Sequence, residues 1–162
     1  LKAQLAVIDG ARPGMRCCDV DKIARDIIET PYPNTFGHGL GHGVGFEIHE
    51  WPRFNKTDET ICEPGMVITD EPGIYETDEV GIRIENELEC IDLGENQYGH
   101  WLGFAPLTLV PISTEPVLVD ELSRDQINWL NDYHAHVYEM LSPRLNEDEK
   151  VWLKEKCAAI GR

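Results

Sequence analysis

The sequence predicts an α+β fold in which helices come first, strands fill the middle and helices return at the end. Three observations carry that prediction. Apolar residues recur at helical spacing through the first thirty positions; short β-type runs bounded by Gly and Pro occupy the centre; helical spacing resumes from about residue 120. With 162 residues and 41% hydrophobic content, the chain is long enough to bury a real core.

Leu1 to Ala11 has apolar residues at 1, 5, 7 and 8 and stops at Arg12-Pro13-Gly14, which suits a helix ending before a turn. Asp19 or Asp21 then caps a second helix through about Glu29, with Ile23, Ala24, Ile27 and Ile28 as its buried stripe. Pro31-Tyr32-Pro33-Asn34 breaks it.

Gly37 to Pro52 is the stretch that organises the chain. Its glycines fall at 37, 39, 41, 43 and 45. A helix would carry this pattern badly, since each interior Gly costs about 0.5–1 kcal/mol against Ala. A strand is predicted, with His38, Leu40, His42 and Val44 on one face and bare backbone on the other. No two of these five glycines are five apart, which excludes a GxGxxG dinucleotide fingerprint in this run. Along a strand His38 and His42 would stand roughly 13 Å apart. That spacing splits their roles, one binding metal and the other handling protons or substrate. Read by composition alone, the run is equally a plain loop.

Met66 to Glu71 reads as a strand ended by Pro72-Gly73. After a turn at Asp78 to Gly81, Ile82 to Ile91 alternates: Arg83, Glu85, Glu87 and Glu89 on one face, Ile82, Ile84, Leu88 and Cys90 chiefly on the other. Phe104 to Ile112 is a further extended segment whose two prolines place it at an edge or in an irregular position. Asp120 or Ser123 opens a helix carrying Ile127, Leu130, Tyr133, His134 and Val137, and Asn146 starts another through Val151, Trp152 and Leu153.

Thirty acidic residues against 14 basic ones give a formal charge of -16, which argues against nucleic acid as a partner and makes cations the natural guests. No apolar run approaches the roughly 20 residues of a membrane span, so no membrane partner is expected. Five cysteines without CxxC spacing suggest neither a disulfide framework nor a zinc-thiolate site, and a reducing cytosol is expected. The chain opens on Leu1 rather than Met, as a fragment or processed product would.

Two carboxylates stand out by context, Glu71 at a strand end and Glu85 beside Arg83. The plain readings remain open: Arg83-Glu85-Glu87-Glu89 as a solvated face with ion pairs, and Glu71 as a turn acceptor. A histidine and two carboxylates on adjoining strands would, however, make a hard site for Mn, Co, Zn or Fe. Two such ions about 3.5–4 Å apart activate water and polarise a carbonyl together, and Glu85 is a candidate to bridge them.

The set Gly37-His38-Gly39-x-Gly41-His42-Gly43, Ile48-His49-Glu50-x-Pro52, Asp70-Glu71-Pro72-Gly73-Ile74-Tyr75 and Gly81-Ile82-Arg83-Ile84-Glu85-Asn86 resembles the pita-bread metallopeptidases, specifically the Xaa-Pro aminopeptidases (aminopeptidase P). The tail, Phe104 to Ile112 with Trp129-Leu130-Asn131-x-Tyr133-His134, is similar to the C-terminal extension of the cytosolic three-domain type. That favours this family over prolidase, methionine aminopeptidase or creatinase.

The resemblance implies the C-terminal half of a pita-bread (creatinase/aminopeptidase-like) catalytic domain over 1–115 and a helical extension over 116–162. It implies His42, Glu71 and Glu85 as metal ligands, with Glu85 bridging two divalent ions, usually manganese, with zinc or cobalt as alternatives. His38 and His49 match histidines that bind substrate and move protons, and Arg83 an arginine that supports the site. Two further aspartate ligands are expected upstream of residue 1; Asp9 and Asp19 are rejected because Asp9 falls within a helical pattern and Asp19 at a helix cap. The expected function is a cytoplasmic, homodimeric metallo-aminopeptidase releasing the N-terminal residue from peptides with proline second, with little activity in this chain alone. The alternatives are a prolidase (Xaa-Pro dipeptidase) and a non-catalytic binding or scaffold module.

Overall fold

The computed structural model describes residues 1–10, 12 and 14–161. The chain divides into two compact units, Leu1–Thr108 and Leu109–Arg162, each with its own core.

The first unit opens with α1 (Lys2–Gly10) and α2 (Cys17–Glu29). Both were legible from spacing, although Ala11 and Pro13 lie outside the described residues. The start of α2 departs from expectation. Arg16 stands at the N-cap, while Asp19 sits at the third helical position and reaches back to accept the Arg16 N–H at 3.3 Å and its guanidinium at 2.9 and 3.0 Å. A carboxylate in the first turn satisfies free N–H groups as well as one at the cap. Asp21 is no cap either; it is buried inside α2 and paired with Arg25 one turn on, at 2.8 and 2.9 Å.

The strand predicted over the Gly/His run is instead a loop followed by a hairpin. β1 covers only Gly41–Gly43 and pairs antiparallel with β2 (Glu50–Phe54). Residues 36–40 leave the ladder because α2 takes their backbone groups. The Arg25 guanidinium donates to the carbonyls of Phe36 (2.8 Å) and His38 (2.7 Å), and the Leu40 N–H donates to Asp21 (2.9 Å). The glycines that remain in the strand serve close approach. A Cβ at Gly41 would collide with the Thr69 carbonyl, and one at Gly43 with the Trp51 carbonyl.

Five more strands follow: β3 (Val67–Asp70), β4 (Gly73–Glu76), β5 (Val80–Arg83), β6 (Asn86–Asn96) and β7 (Gly99–Pro106). The main sheet has the order β2-β1-β3-β6-β7 and is antiparallel throughout, whereas β4 and β5 form a separate hairpin. The single strand expected over Ile82 to Ile91 is therefore two, because the chain changes sheets at Ile84-Glu85. Leu88 and Cys90 are buried as predicted, but Ile82 belongs to the hairpin and is 54% exposed. The last extended segment begins earlier than Phe104, since β6 runs on to Asn96 and turns back through Gly99; residues 107–112 form no strand. β7 holds the edge position that its proline-rich end predicted.

Val7 of α1, Val20 and Ala24 of α2, and Ile68, Leu88 and Phe104 of the sheet share one core cluster. Full burial of each of the larger side chains contributes about 1.5–3 kcal/mol. The helices thus claim one face of the sheet, and alternation sends every second side chain of β3 and β6 to the other.

The second unit contains α3 (Arg124–Leu141) and α4 (Glu147–Lys156). Ser123 and Asn146 cap them, each side chain accepting an N–H three residues on, with Gln126 and Glu149 returning the bond. Asp120, the other candidate cap, lies in a short 3-10 turn (Val119–Glu121). Ile127, Leu130, Tyr133, His134 and Val137 are all buried, as their spacing predicted. Among the described residues, no helix is long and apolar enough to cross a membrane.

Candidate functional site

The site grows from the last rungs of the β3–β6 ladder. Asp70 opposes Asn86, both fully buried on the helix side. Immediately beyond that rung, Glu71 follows β3 and Glu85 precedes β6; alternation turns both to the opposite face, where they line one cleft with Thr69 and Glu87. Thr69 Oγ1 accepts the His42 N–H at 3.1 Å and donates to Glu71 Oε1 at 2.9 Å, so one hydroxyl ties β1 to the end of β3.

His42 stands at the centre of β1, its Nε2 3.4 Å from Glu71 Oε1. Its Nδ1 lies 2.9 Å from the Gly43 carbonyl, which makes Nδ1 the donor and turns Nε2 toward the carboxylate. Arg83 reaches both acids, with Nη1 3.5 Å from Glu71 Oε2 and Nε 3.7 Å from Glu85 Oε2. Its side chain is 46% exposed and Glu71 only 13%. An ion pair that long and that exposed is worth about 0–1 kcal/mol, too little to compete with a divalent cation.

The other two histidines keep different company. The His49 ring, exposed on the β1–β2 loop, lies 4.4 Å from the His42 ring. His38 donates through Nδ1 to the Gly39 carbonyl (2.6 Å), accepts at Nε2 from the Tyr75 hydroxyl (3.3 Å), and meets the Phe36 ring edge-on at 5.0 Å. His42, Glu71 and Arg83 line two adjoining clefts, one of about 350 Å³ with His49 and Glu85 and one of about 310 Å³ with His38. All six residues singled out in the sequence are therefore brought to this pair of clefts.

The donor set fits a hard cation: an imidazole nitrogen oriented by a backbone carbonyl, and carboxylate oxygens beside it. His42 and Glu71 already converge, and Glu85 lines the same cleft; among the described residues, no three His, Cys, Asp or Glu side chains close on a single point. Asp9 lies in α1, and Asp19 is held by Arg16, so neither joins the set. Sequence reasoning missed Thr69, whose signal was its i, i+2 relation to Glu71, and the Asp21–Arg25 pair, whose signal was i, i+4 spacing. It also missed Asp70. Burial pushes that carboxyl well above the usual range, and nearby Glu71 adds to the shift.

This arrangement of helices and antiparallel sheet is that of the pita-bread fold. The chain belongs to metallopeptidase family M24: residues 1–92 match that family, and residues 100–160 match the C-terminal region of peptidase M24. It is similar to the Xaa-Pro dipeptidase of Pyrococcus furiosus, 54% identical over 53% of this chain and 25% of that protein. It is also similar to Aminopeptidase P2 of Arabidopsis thaliana, 44% identical over 78% of this chain and 19% of that protein. Among solved structures, the X-prolyl aminopeptidase of Caenorhabditis elegans, described as a cytosolic enzyme with a di-nuclear active site, aligns with 98% of this chain and 28% of its own at TM-score 0.80 and 35% identity. The chain thus spans about a quarter of the length of these relatives.

Proposed function

We propose that the whole protein is a cytoplasmic, homodimeric Xaa-Pro aminopeptidase with two manganese ions, releasing the N-terminal residue from peptides with proline second. The observation that carries this reading is the reach of the similarity. The likeness to the Arabidopsis aminopeptidase covers 78% of the chain, including part of the second unit, whereas the likeness to the Pyrococcus dipeptidase covers 53%. The prolidase alternative rests on that dipeptidase's higher identity.

In this reading His42, Glu71 and Glu85 hold the ions with two carboxylates from outside this chain. Such a pair supplies Lewis acidity and acidified water when bound. Arg83 steadies the two glutamates. His38, kept in one tautomer by Gly39 and Tyr75, and His49, its ring tilted against that of His42, flank the scissile amide, bind substrate and carry protons. The proline nitrogen offers no N–H, so discrimination rests on shape and on these imidazole contacts.

The test is substrate length. Purified whole protein should cleave an Xaa-Pro-Yaa tripeptide well and the Xaa-Pro dipeptide poorly; a preference for the dipeptide assigns prolidase, and hydrolysis of neither assigns the scaffold role. The 162-residue chain alone should be inactive, because its acids lack the remaining ligands and the charge that makes their closeness tolerable.

A further inference from the structure

We propose that Asp21 and Arg25 of α2 are positioning residues for this site, a tether that fixes both His38 and Glu71 from the far side of the loop. The inference rests on the peptidase reading above for the roles of those two residues. Its basis is a continuous path of bonds.

Arg25 is the hub. Its side chain is 11% exposed and grips Asp21, itself 1% exposed, through Nε (2.8 Å) and Nη2 (2.9 Å). The two terminal nitrogens then donate to the carbonyls of Phe36 (2.8 Å) and His38 (2.7 Å), and the guanidinium carbon lies 4.3 Å from the centroid of the Phe36 ring. Phe36 in turn meets the His38 imidazole edge-on. His38 is thus held by its own carbonyl and by its ring neighbour, both through one guanidinium.

The second arm starts at Asp21. Its Oδ1 accepts the Leu40 N–H at 2.9 Å, and the Leu40 carbonyl accepts the Glu71 N–H, also at 2.9 Å. One residue, Leu40, therefore links the Asp21 carboxylate to the backbone of the candidate ligand. Displacing Leu40 moves Glu71, and a misplacement near 1 Å costs on the order of 100-fold in rate.

A planar fork with several fixed donors can serve a carboxylate and two carbonyls at once, which a lysine ammonium on a flexible stem cannot. That difference separates positioning from bulk stability. In the whole protein Arg25→Lys keeps the positive charge beside Asp21 but loses the shared grip, and Asp21→Asn keeps an acceptor for Leu40 but weakens the pairing. Both should fold. Arg25→Lys should lower kcat on an Xaa-Pro tripeptide about 10- to 100-fold and weaken Mn2+ binding, read by calorimetry on metal-free protein, by a similar factor. Asp21→Asn should retain more of both. Lys22→Met, on the solvent side of α2 where Lys22 pairs with an exposed Asp26, serves as control and should leave them unchanged. The proposal is overturned if Arg25→Lys and Asp21→Asn lower only the thermal midpoint, with kcat, KM and Mn2+ affinity native at a temperature where all are folded. A native protein that neither binds Mn2+ nor cleaves the peptide would instead overturn the peptidase reading.

Discussion

The Nε2 atom of His42 faces Glu71 Oε1 at 3.4 Å, and the ring is turned that way by its Nδ1 bond to the Gly43 carbonyl. Neither residue is near the other in sequence; the β1–β3 pairing of Gly43 with Ile68 brings them together. Glu71→Gln should therefore keep the fold but weaken divalent-ion binding by about 10- to 100-fold in the whole protein, because the amide offers no charge. Titration of the metal-free protein with Mn2+ checks this, and native affinity would remove Glu71 from the ligand set.

The glycine spacing predicts a steric result. Gly41→Ala has nowhere to put its methyl group except against the Thr69 carbonyl, so the β1–β3 contact must open. The cost expected is about 1–3 kcal/mol in urea unfolding, with His42 drawn away from Glu71. Gly37→Ala, where a Cβ meets nothing within 4 Å, should cost far less.

Gln4, Asp70 and Asn86 form a buried polar group between α1 and the end of the ladder, with Gln4 Nε2 donating to Asn86 Oδ1 at 3.2 Å. Truncating Asn86 to Ala strands the Gln4 donor. An unsatisfied buried group costs about 1–3 kcal/mol, measurable as a lower urea midpoint.

The capping residues and the core of the second unit should separate by magnitude. Ser123→Ala is expected to cost about 1 kcal/mol. Leu130→Ala, at a position only 1% exposed, is expected to cost about 2–5 kcal/mol. Equal losses would mean that α3 depends on its cap more than on its packing.

His134 gives the second unit a pH dependence. The ring is fully buried, and burial pushes its pKa down from the ordinary 6.5; its Nε2 accepts the Ile112 N–H at 3.1 Å. On acidification the unfolded chain takes up the proton before the folded one does. The stabilisation is therefore complete above about pH 6.5 and is lost progressively below it. Unfolding free energies between pH 8 and 5 should fall more steeply for the native protein than for His134→Gln.

Much of the architecture was legible because local patterns were unopposed. The stripe Ile127, Leu130, Tyr133, His134 and Val137, and the caps Ser123 and Asn146, became α3 and α4 as written. Reading failed where tertiary bonds overruled a local pattern. The glycine period implied a strand through His38, but Arg25 and Asp21 claim the backbone on either side of Gly39. Alternation from Ile82 to Cys90 runs on without a visible break, yet the chain passes from the β4–β5 hairpin to the main sheet at Ile84-Glu85. The six site residues were singled out by motif and all reached the clefts. Thr69 and the Asp21–Arg25 pair were not, since nothing in their residue types distinguishes them from an ordinary strand threonine or surface ion pair.

The most direct test of the dimetal reading is elemental analysis of the whole protein after manganese loading and desalting, alongside its Glu85→Ala variant. The account predicts two ions per native chain, with loss of metal and of Xaa-Pro tripeptide cleavage in the variant. A native protein that cleaves the tripeptide at full rate without bound metal, or a variant that keeps both ions and turnover, would contradict it.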